Sequence, residues 1–502
     1  MKTTRIAALV VIALVAVSGL VFFEGYFASG SSQTSSTQAQ CVSLPGGTFA
    51  KSQVTNRTFG AVTEYSLPGN DTWPSAITAA PDGSVWFAEQ AVPGVAHLYP
   101  GNGTIVQYAW PGYKTPTLAN CFPTAVSSGI ALWNGRVWSA DEFANMIFGV
   151  RPSDGSVVSI NSTGEASYPY WVAVGPDGDL WITFDNTPAS LGRIFPNLTM
   201  SIISLSGTGE DSPLQIDFVN SSYALLAAIN LSQNATTKGC VCNGHVYSFD
   251  PSTVGSTITP SAVGFGYNLV LPTSASYSTG GVWVAQHYAS SVVGYGFNTG
   301  TWTQYPTSRV QWTNTTLPLM VAANGSEVWF NEHYANKIAL LNPGGGTLTE
   351  FDESNPPPTT YAGIQNDEYI AVAGGRLWLS SMTGNYVGFV NAGYKPSFGL
   401  AVTGSNAVSI APGGSSSLNI SVSGSWTARM NVSVSDSENY AAAPTLISIT
   451  PSVTAVPTGG GSYDLGVGIA VSQSAEAGEY TVAVTVADGL IQQTAYIFVT
   501  VN

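Results

Sequence analysis

Charge is what this 502-residue chain has least of. Asp, Glu, Lys and Arg make up only 9% of it, and the 29 acidic side chains outnumber the 14 basic ones. No basic patch could neutralise a run of phosphates, which excludes nucleic acid as a partner. Histidine occurs four times, so few residues can carry proton transfer near neutral pH. No long stretch carries a helical apolar period, whereas Gly (54), Trp (13) and Tyr (23) are abundant. That is the composition of an all-β protein.

Long apolar runs are missing everywhere except at the start. Lys2 and Arg5 precede an uncharged run from Ile6 to Phe23, closed by Glu24. Basic residues stay on the cytoplasmic side, so the rest of the chain is expected outside. Residues 1–30 read as a signal anchor, or as a signal peptide if Ala28-Ser29-Gly30 is cleaved. Residues 31–58, which begin SSQTSSTQAQ, read as a tether. Twelve Asn-x-Ser/Thr sequons follow, including Asn102, Asn220 and Asn324, and they fit a glycosylated cell-surface protein. Its membrane partner would be reached through the N-terminal helix. Outside the cell, Cys41, Cys121, Cys240 and Cys242 should be oxidised. Of the three possible connectivities, Cys41–Cys121 with Cys240–Cys242 is favoured; the alternative is a metal triplet of Cys240, Cys242 and His245.

What the sequence does contain is a repeat. A hydrophobic–Trp pair recurs at Trp86, Trp138, Trp181, Trp283, Trp329 and Trp378, with a degenerate copy at 223–232. Each unit opens on a strand that follows a Pro, turns at a segment such as Pro81-Asp82-Gly83, and continues through three more strands. A period near forty to fifty residues predicts a seven-bladed β-propeller over 59–394. The orphan segment AVTEYSL (61–67) is expected to close the ring as the outer strand of the last blade. After Tyr394 a period-two pattern begins, and 395–502 reads as an immunoglobulin- or fibronectin-like sandwich.

The units PSAITAAPDGSVWFAEQ, PYWVAVGPDGDLWITFD and VWFNEHYANKIALLNP resemble those of the streptogramin B lyase (virginiamycin B lyase) propellers. The resemblance implies a site at the mouth of the central channel. It implies a catalytic His directly after the Pro that begins an innermost strand, with acidic residues nearby holding Mg²⁺. Here the entering positions hold Ser75, Thr124, Tyr170, Leu214, Thr273 and Leu319, with Ala362 in the last unit. None is His.

The chain's own candidates lie just after the Trp strands. Glu332 and His333 match Gln286 and His287 one unit earlier, and Glu89, Asp141, Glu142 and Asp185 stand at like places. They form a polar ring at the channel mouth. Either they cap strands, or Glu332, His333 and His287 form a catalytic or metal cluster. Strand alternation sends Glu332 and His333 to opposite faces unless the loop twists them together. Mg²⁺ or Ca²⁺ is compatible with such donors, and nothing in the sequence requires either. Tyr288 and Tyr334, in polar loops, are expected to be exposed; with Tyr170, Glu89, Asp141 and Glu142 they suit a glycan or peptide ligand. His97 reads as a half-buried structural residue. Three functions are consistent with these residues: a surface ligand-binding or interaction module, a metal-dependent lyase or hydrolase, and a structural component of a surface layer.

Overall fold

The computed structural model describes residues 49–502 apart from 70–71, 91, 93, 111–127, 143, 163, 232–241, 265, 309–315, 355–366, 374, 383, 392–393 and 437–445. The expected N-terminal helix, and the tether up to residue 48, lie outside the described residues.

Among the described residues, seven sheets occupy the chain between Phe49 and Val390, each with four antiparallel strands in the body of a unit. Their innermost strands are Pro74–Ala79, Ile130–Trp133, Pro169–Val174, Ser212–Asn220, Pro272–Ser278, Pro318–Asn324 and Asp367–Ala373. These define the first to seventh units. Each innermost strand contacts the next, and the last contacts the first. The units therefore close into a ring, and the fold is a β-propeller.

The ring closes through the N-terminus. Val62–Ser66 pairs antiparallel with Tyr386–Val390 of the seventh unit, as the orphan strand predicts. The segment read as tether is ordered at its end. Phe49–Gln53 pairs with Thr104–Ala109, and Asn56–Phe59 pairs with Val62–Ser66. Alternating side chains let these short strands cover sheet edges that would otherwise present unpaired amides. The innermost strand of the seventh unit begins at Asp367, later than the Tyr361-Ala362 entry read from the sequence, which lies outside the described residues.

Two recurring devices shape the face carrying the second-to-third-strand loops. Trp73, Tyr168, Leu271 and Leu317 each precede the entering Pro with φ between 49° and 59°. The strand register then shifts immediately after that Pro. A left-handed residue followed by a bulge re-aims the chain into the channel wall. The second device stands seven residues after the Trp: Asn145, Ser290, Asn336 and Asn385, all with positive φ. Asn145 Oδ1 accepts the Tyr168 N–H at 2.7 Å, Ser290 Oγ the Thr316 N–H at 2.9 Å, and Asn385 Oδ1 the Thr72 N–H at 2.8 Å. Each ties its unit to the entry segment of the next.

The described residues between 398 and 501 form two sheets around one shared core that includes Ile420, Val467, Val482 and Ile497. This sandwich is not a separate bead. Its strand Ile491–Val501 pairs antiparallel with Thr347–Asp352, the outer strand of the sixth unit. Tyr496 packs on Tyr305 at 5.3 Å between ring centroids and donates its hydroxyl to the Pro306 carbonyl at 2.8 Å.

Candidate functional site

The polar residues that follow the Trp strands are buried. Glu89, Asp141, Asp185, Gln286 and Glu332 end the second strands of their units or follow them directly, and none exceeds 3% exposure. Most are spent on strand ends. Glu89 accepts both Gln107 Nε2 contacts, at 2.8 and 3.0 Å, and burial raises its pKa to about 8. Gln286 accepts the Val270 N–H at 3.0 Å and donates to Ser291 Oγ at 3.1 Å. Asp141 accepts the Ala144 N–H at 3.0 Å. Gln286 and Asp141 thus bond backbone amides beside strand ends, whereas Glu89 bonds a side chain of the outer strand of its own unit.

Glu332 and His333 diverge, as strand alternation requires. Glu332 shares its face with Val328 and Phe330 in the seam between the fifth and sixth units. There its carboxyl meets that of Glu350, with Lys337 and Asp352 close by. Burial first, then the Glu350 charge, hold Glu332 well above the usual carboxylate range. Glu350 accepts the Ser308 N–H at 3.0 Å, and Lys337 Nζ donates to Ser308 Oγ at 3.1 Å.

His333 turns instead toward His287 of the neighbouring unit, with ring centroids 5.7 Å apart. Both rings are buried, His333 at 0% and His287 at 3% exposure. His287 Nδ1 lies 3.1 Å from the Pro318 carbonyl oxygen, and burial lowers its pKa to about 4. The expected trio of Glu332, His333 and His287 is therefore split into a carboxyl pair and a histidine pair. Among the described residues no group of three or more His, Cys, Asp and Glu side chains is arranged to hold a metal ion. The divalent site implied by the resemblance does not fit this arrangement.

The aromatic expectations need correction. Tyr334 is buried at 2% exposure, packed on Leu317 and the half-buried Tyr288. The entry segment of its own unit covers it, with the Tyr334 N–H donated to the Thr316 carbonyl at 2.9 Å. His97 is buried rather than half-buried, stacked 3.8 Å from Trp86 with Nε2 2.6 Å from Ser84 Oγ. His245 contacts Asp211 Oδ2 at 2.6 Å through Nδ1. Cys242 is disulfide-bonded; Cys41, Cys121 and Cys240, and with them the expected pairings, lie outside the described residues.

One cluster brings together residues that the sequence named without pairing them. The buried carboxyls of Glu142 and Asp185, from adjacent units, stand close enough to raise Glu142 well above its usual range, burial being the larger cause and the Asp185 and Asp141 charges the next. Asp185 is raised to about 6 by burial and accepts the Ser212 hydroxyl. Tyr170, also pushed up by burial, places its hydroxyl against those of Tyr369 and Ser128. Trp171 lies 6.0 Å from Tyr369, between centroids. Tyr170 and Trp171 belong to the third unit and Tyr369 to the seventh, so aromatic side chains bridge the channel at this level. The signal was an acidic pair at like positions in neighbouring repeats, flanking a Tyr at the entry position.

No family model matches the chain, and no curated protein matches it. Among solved structures it is similar to a catalytically inactive virginiamycin B lyase from Staphylococcus aureus with quinupristin, at 18% identity and a TM-score of 0.48, over 65% of this chain and 98% of that one. A streptogramin B lyase structure gives 20% identity and a TM-score of 0.49, over 66% of this chain and 97% of that one. BamB from Moraxella catarrhalis gives 10% identity and a TM-score of 0.36, over 69% and 99%. At these identities and TM-scores the similarity assigns no substrate or residue role to this chain.

Proposed function

We propose that this chain is a cell-surface ligand-binding module, held outside the membrane by its N-terminal segment and glycosylated on its sequons. In this reading the ring is a seven-bladed propeller, and 395–502 is an immunoglobulin- or fibronectin-like sandwich that stiffens it. The second disulfide pairs Cys240 with Cys242, and the first pairs Cys41 with Cys121. One observation supports the non-catalytic reading: Glu332 faces Glu350 and Lys337 while His333 turns to His287, so the Glu332–His333 neighbours of the sequence do not converge on one acid–base site.

A second reading is supported by the same two rings. Two histidines meeting across a unit seam, in a channel mouth, are a starting point for a metal-dependent lyase or hydrolase. The deciding experiment incubates the purified ectodomain with a streptogramin B and Mg²⁺ and follows ring opening by mass spectrometry. No turnover is expected. Ring opening that is lost in His333→Ala overturns the module and establishes the enzyme.

A further inference from the structure

The opposite face, which carries the first-to-second and third-to-fourth-strand turns, holds two concavities that share one side chain, Arg376. A groove of about 460 Å³ lies between the first and seventh units, walled by Tyr65, Tyr99, Asp82, Asn102 and Phe389. A smaller cavity of about 230 Å³ lies between the sixth and seventh units, walled by Trp329, Tyr394, Glu327, Asn324 and Asn391. Arg376 stands between them.

Arg376 is conspicuous by comparison with its counterpart. Arg136 occupies the same place in the second unit, two residues before Trp138, and donates to the Gly149 and Ser156 carbonyls at 3.2 and 2.9 Å. In the seventh unit the residue opposite Trp378 is Phe389, where the second unit has Gly149 opposite Trp138. The guanidinium of Arg376 is accordingly held over the Phe389 ring, 4.3 Å from its centroid. It is exposed, and among the described residues it makes no hydrogen bond or ion pair. A ring fixes its position while its donors stay available.

Around this donor the walls supply two other kinds of group. Asp82 and Glu327 are exposed acceptors, and Ser84 hydrogen bonds hold the Asp82 carboxyl below its usual range, so it is ionised. Tyr99, 38% exposed, and the half-buried Trp329 and Tyr394 offer ring faces. Carboxylate acceptors, one fixed guanidinium and open aromatic faces match a ligand with many hydroxyls and apolar C–H faces. The two carboxylates beside a single cation disfavour an acidic peptide. Two concavities that share Arg376 favour a chain over a single ring.

We infer that this face binds an uncharged oligosaccharide lying across Arg376, with one part in the groove beside Tyr99 and another in the cavity beside Trp329. The inference rests on the reading of the chain as a ligand-binding module and names the ligand class.

The test uses the whole ectodomain made in a host without N-glycosylation, since Asn102 and Asn324 belong to sequons and their own glycans would sit at the walls. Calorimetric titrations are run with defined neutral tetrasaccharides (gluco-, manno- and chito-series), and with an acidic peptide in parallel. At least one tetrasaccharide is expected to bind, with affinity falling about tenfold or more in Arg376→Ala and in Tyr99→Ala, a loss equivalent to one strong contact. Both residues are exposed, and unchanged melting temperatures separate lost binding from lost folding. Failure of every sugar, sugar binding indifferent to both substitutions, or capture of the acidic peptide instead each overturns the inference. In the last case the module reading stands, whereas ring opening of a streptogramin B removes that reading independently.

Discussion

The imidazole rings of His287 and His333 meet across the seam of the fifth and sixth units, 5.7 Å apart between centroids, and His287 Nδ1 lies 3.1 Å from the Pro318 carbonyl oxygen. Burial disfavours the charged form of the His287 ring by more than its contact with the Pro318 carbonyl favours it. With only four histidines in the chain, carbon-detected ring resonances can follow each one. His287 is expected to stay neutral until about pH 4. A midpoint at 6.5 or above would reveal a carboxylate partner and revive the acid–base role.

The pH dependence of stability follows from the buried carboxyls. Glu89 is raised to about 8, and Asp185, Asp217 and Asp352 to about 6, chiefly by burial; Glu142 and Glu332 are raised further by neighbouring charges. Each binds its proton more tightly folded than unfolded. Its stabilising contribution is complete below its unfolded pKa and fades as pH rises through the folded value. His97 and His287, both lowered to about 4, oppose this by costing stability as pH falls from 6.5 to 4. Six carboxyl groups outweigh two imidazoles. Stability should peak between about pH 4 and 5, with the melting temperature falling by more than about 5 °C by pH 8. A melting temperature that rises from pH 5 to pH 8 would contradict the protonated clusters.

Glu332 allows that account to be tested at one residue. Glu332→Gln keeps a donor toward Glu350 and removes the group that must ionise. Urea unfolding should show it within about 1 kcal/mol of the wild type at pH 5 and more stable than the wild type at pH 8. Glu332→Ala, which leaves Glu350 and a cavity behind, should lose about 2–3 kcal/mol at both. Equal losses for Gln and Ala at pH 8 would mean that Glu332 is ionised in the native state.

The sequence carried the ring and not the pairing inside it. Trp spacing, turn residues and the orphan strand near Val62 are local signals, and each unit can be read from its own forty-odd residues. The Glu332–Glu350 contact depends on a register across two strands, which periodicity alone does not specify. Tyr334 looked exposed because its own loop is polar; its cover is the Thr316–Leu317 backbone, which precedes the Trp strand. The Asn at Trp plus seven was legible all along as a recurring spacing, once its positive φ gave it a purpose. Nothing in the alternating pattern of Ile491–Val501 announces that it continues a propeller sheet.

That continuation is itself testable. Tyr496→Phe removes the hydroxyl bonded to the Pro306 carbonyl and should cost about 1 kcal/mol. Ending the chain after residue 395 should do more. It leaves Thr347–Asp352 as an unpaired edge and uncovers Tyr305, so the truncated propeller should elute as aggregate in size-exclusion chromatography. A monomeric, fully folded truncation would show that the sandwich is merely appended.

The inter-unit tie at Asn385 has two separable components. Its φ of 53° is a backbone cost for any side chain with a Cβ, which Asn bears better than Ala. Its Oδ1 accepts the Thr72 N–H and hydroxyl, both at 2.8 Å, and its Nδ2 donates to the Gly69 carbonyl at 2.9 Å. Asn385→Gly relieves the backbone and deletes the three bonds, whereas Asn385→Ala deletes the bonds and adds strain. Glycine is expected to cost about 1–2 kcal/mol and alanine about 1 kcal/mol more, measured by urea unfolding. Because Thr72 opens the first unit and Asn385 directly precedes the third strand of the seventh, both variants should also loosen the ring at its closure. Hydrogen exchange should then quicken in Val62–Ser66 and Tyr386–Val390 before it does in the third unit. Equal losses for Gly and Ala would remove the strain component, and exchange that quickens uniformly around the ring would remove the assignment of Asn385 to its closure.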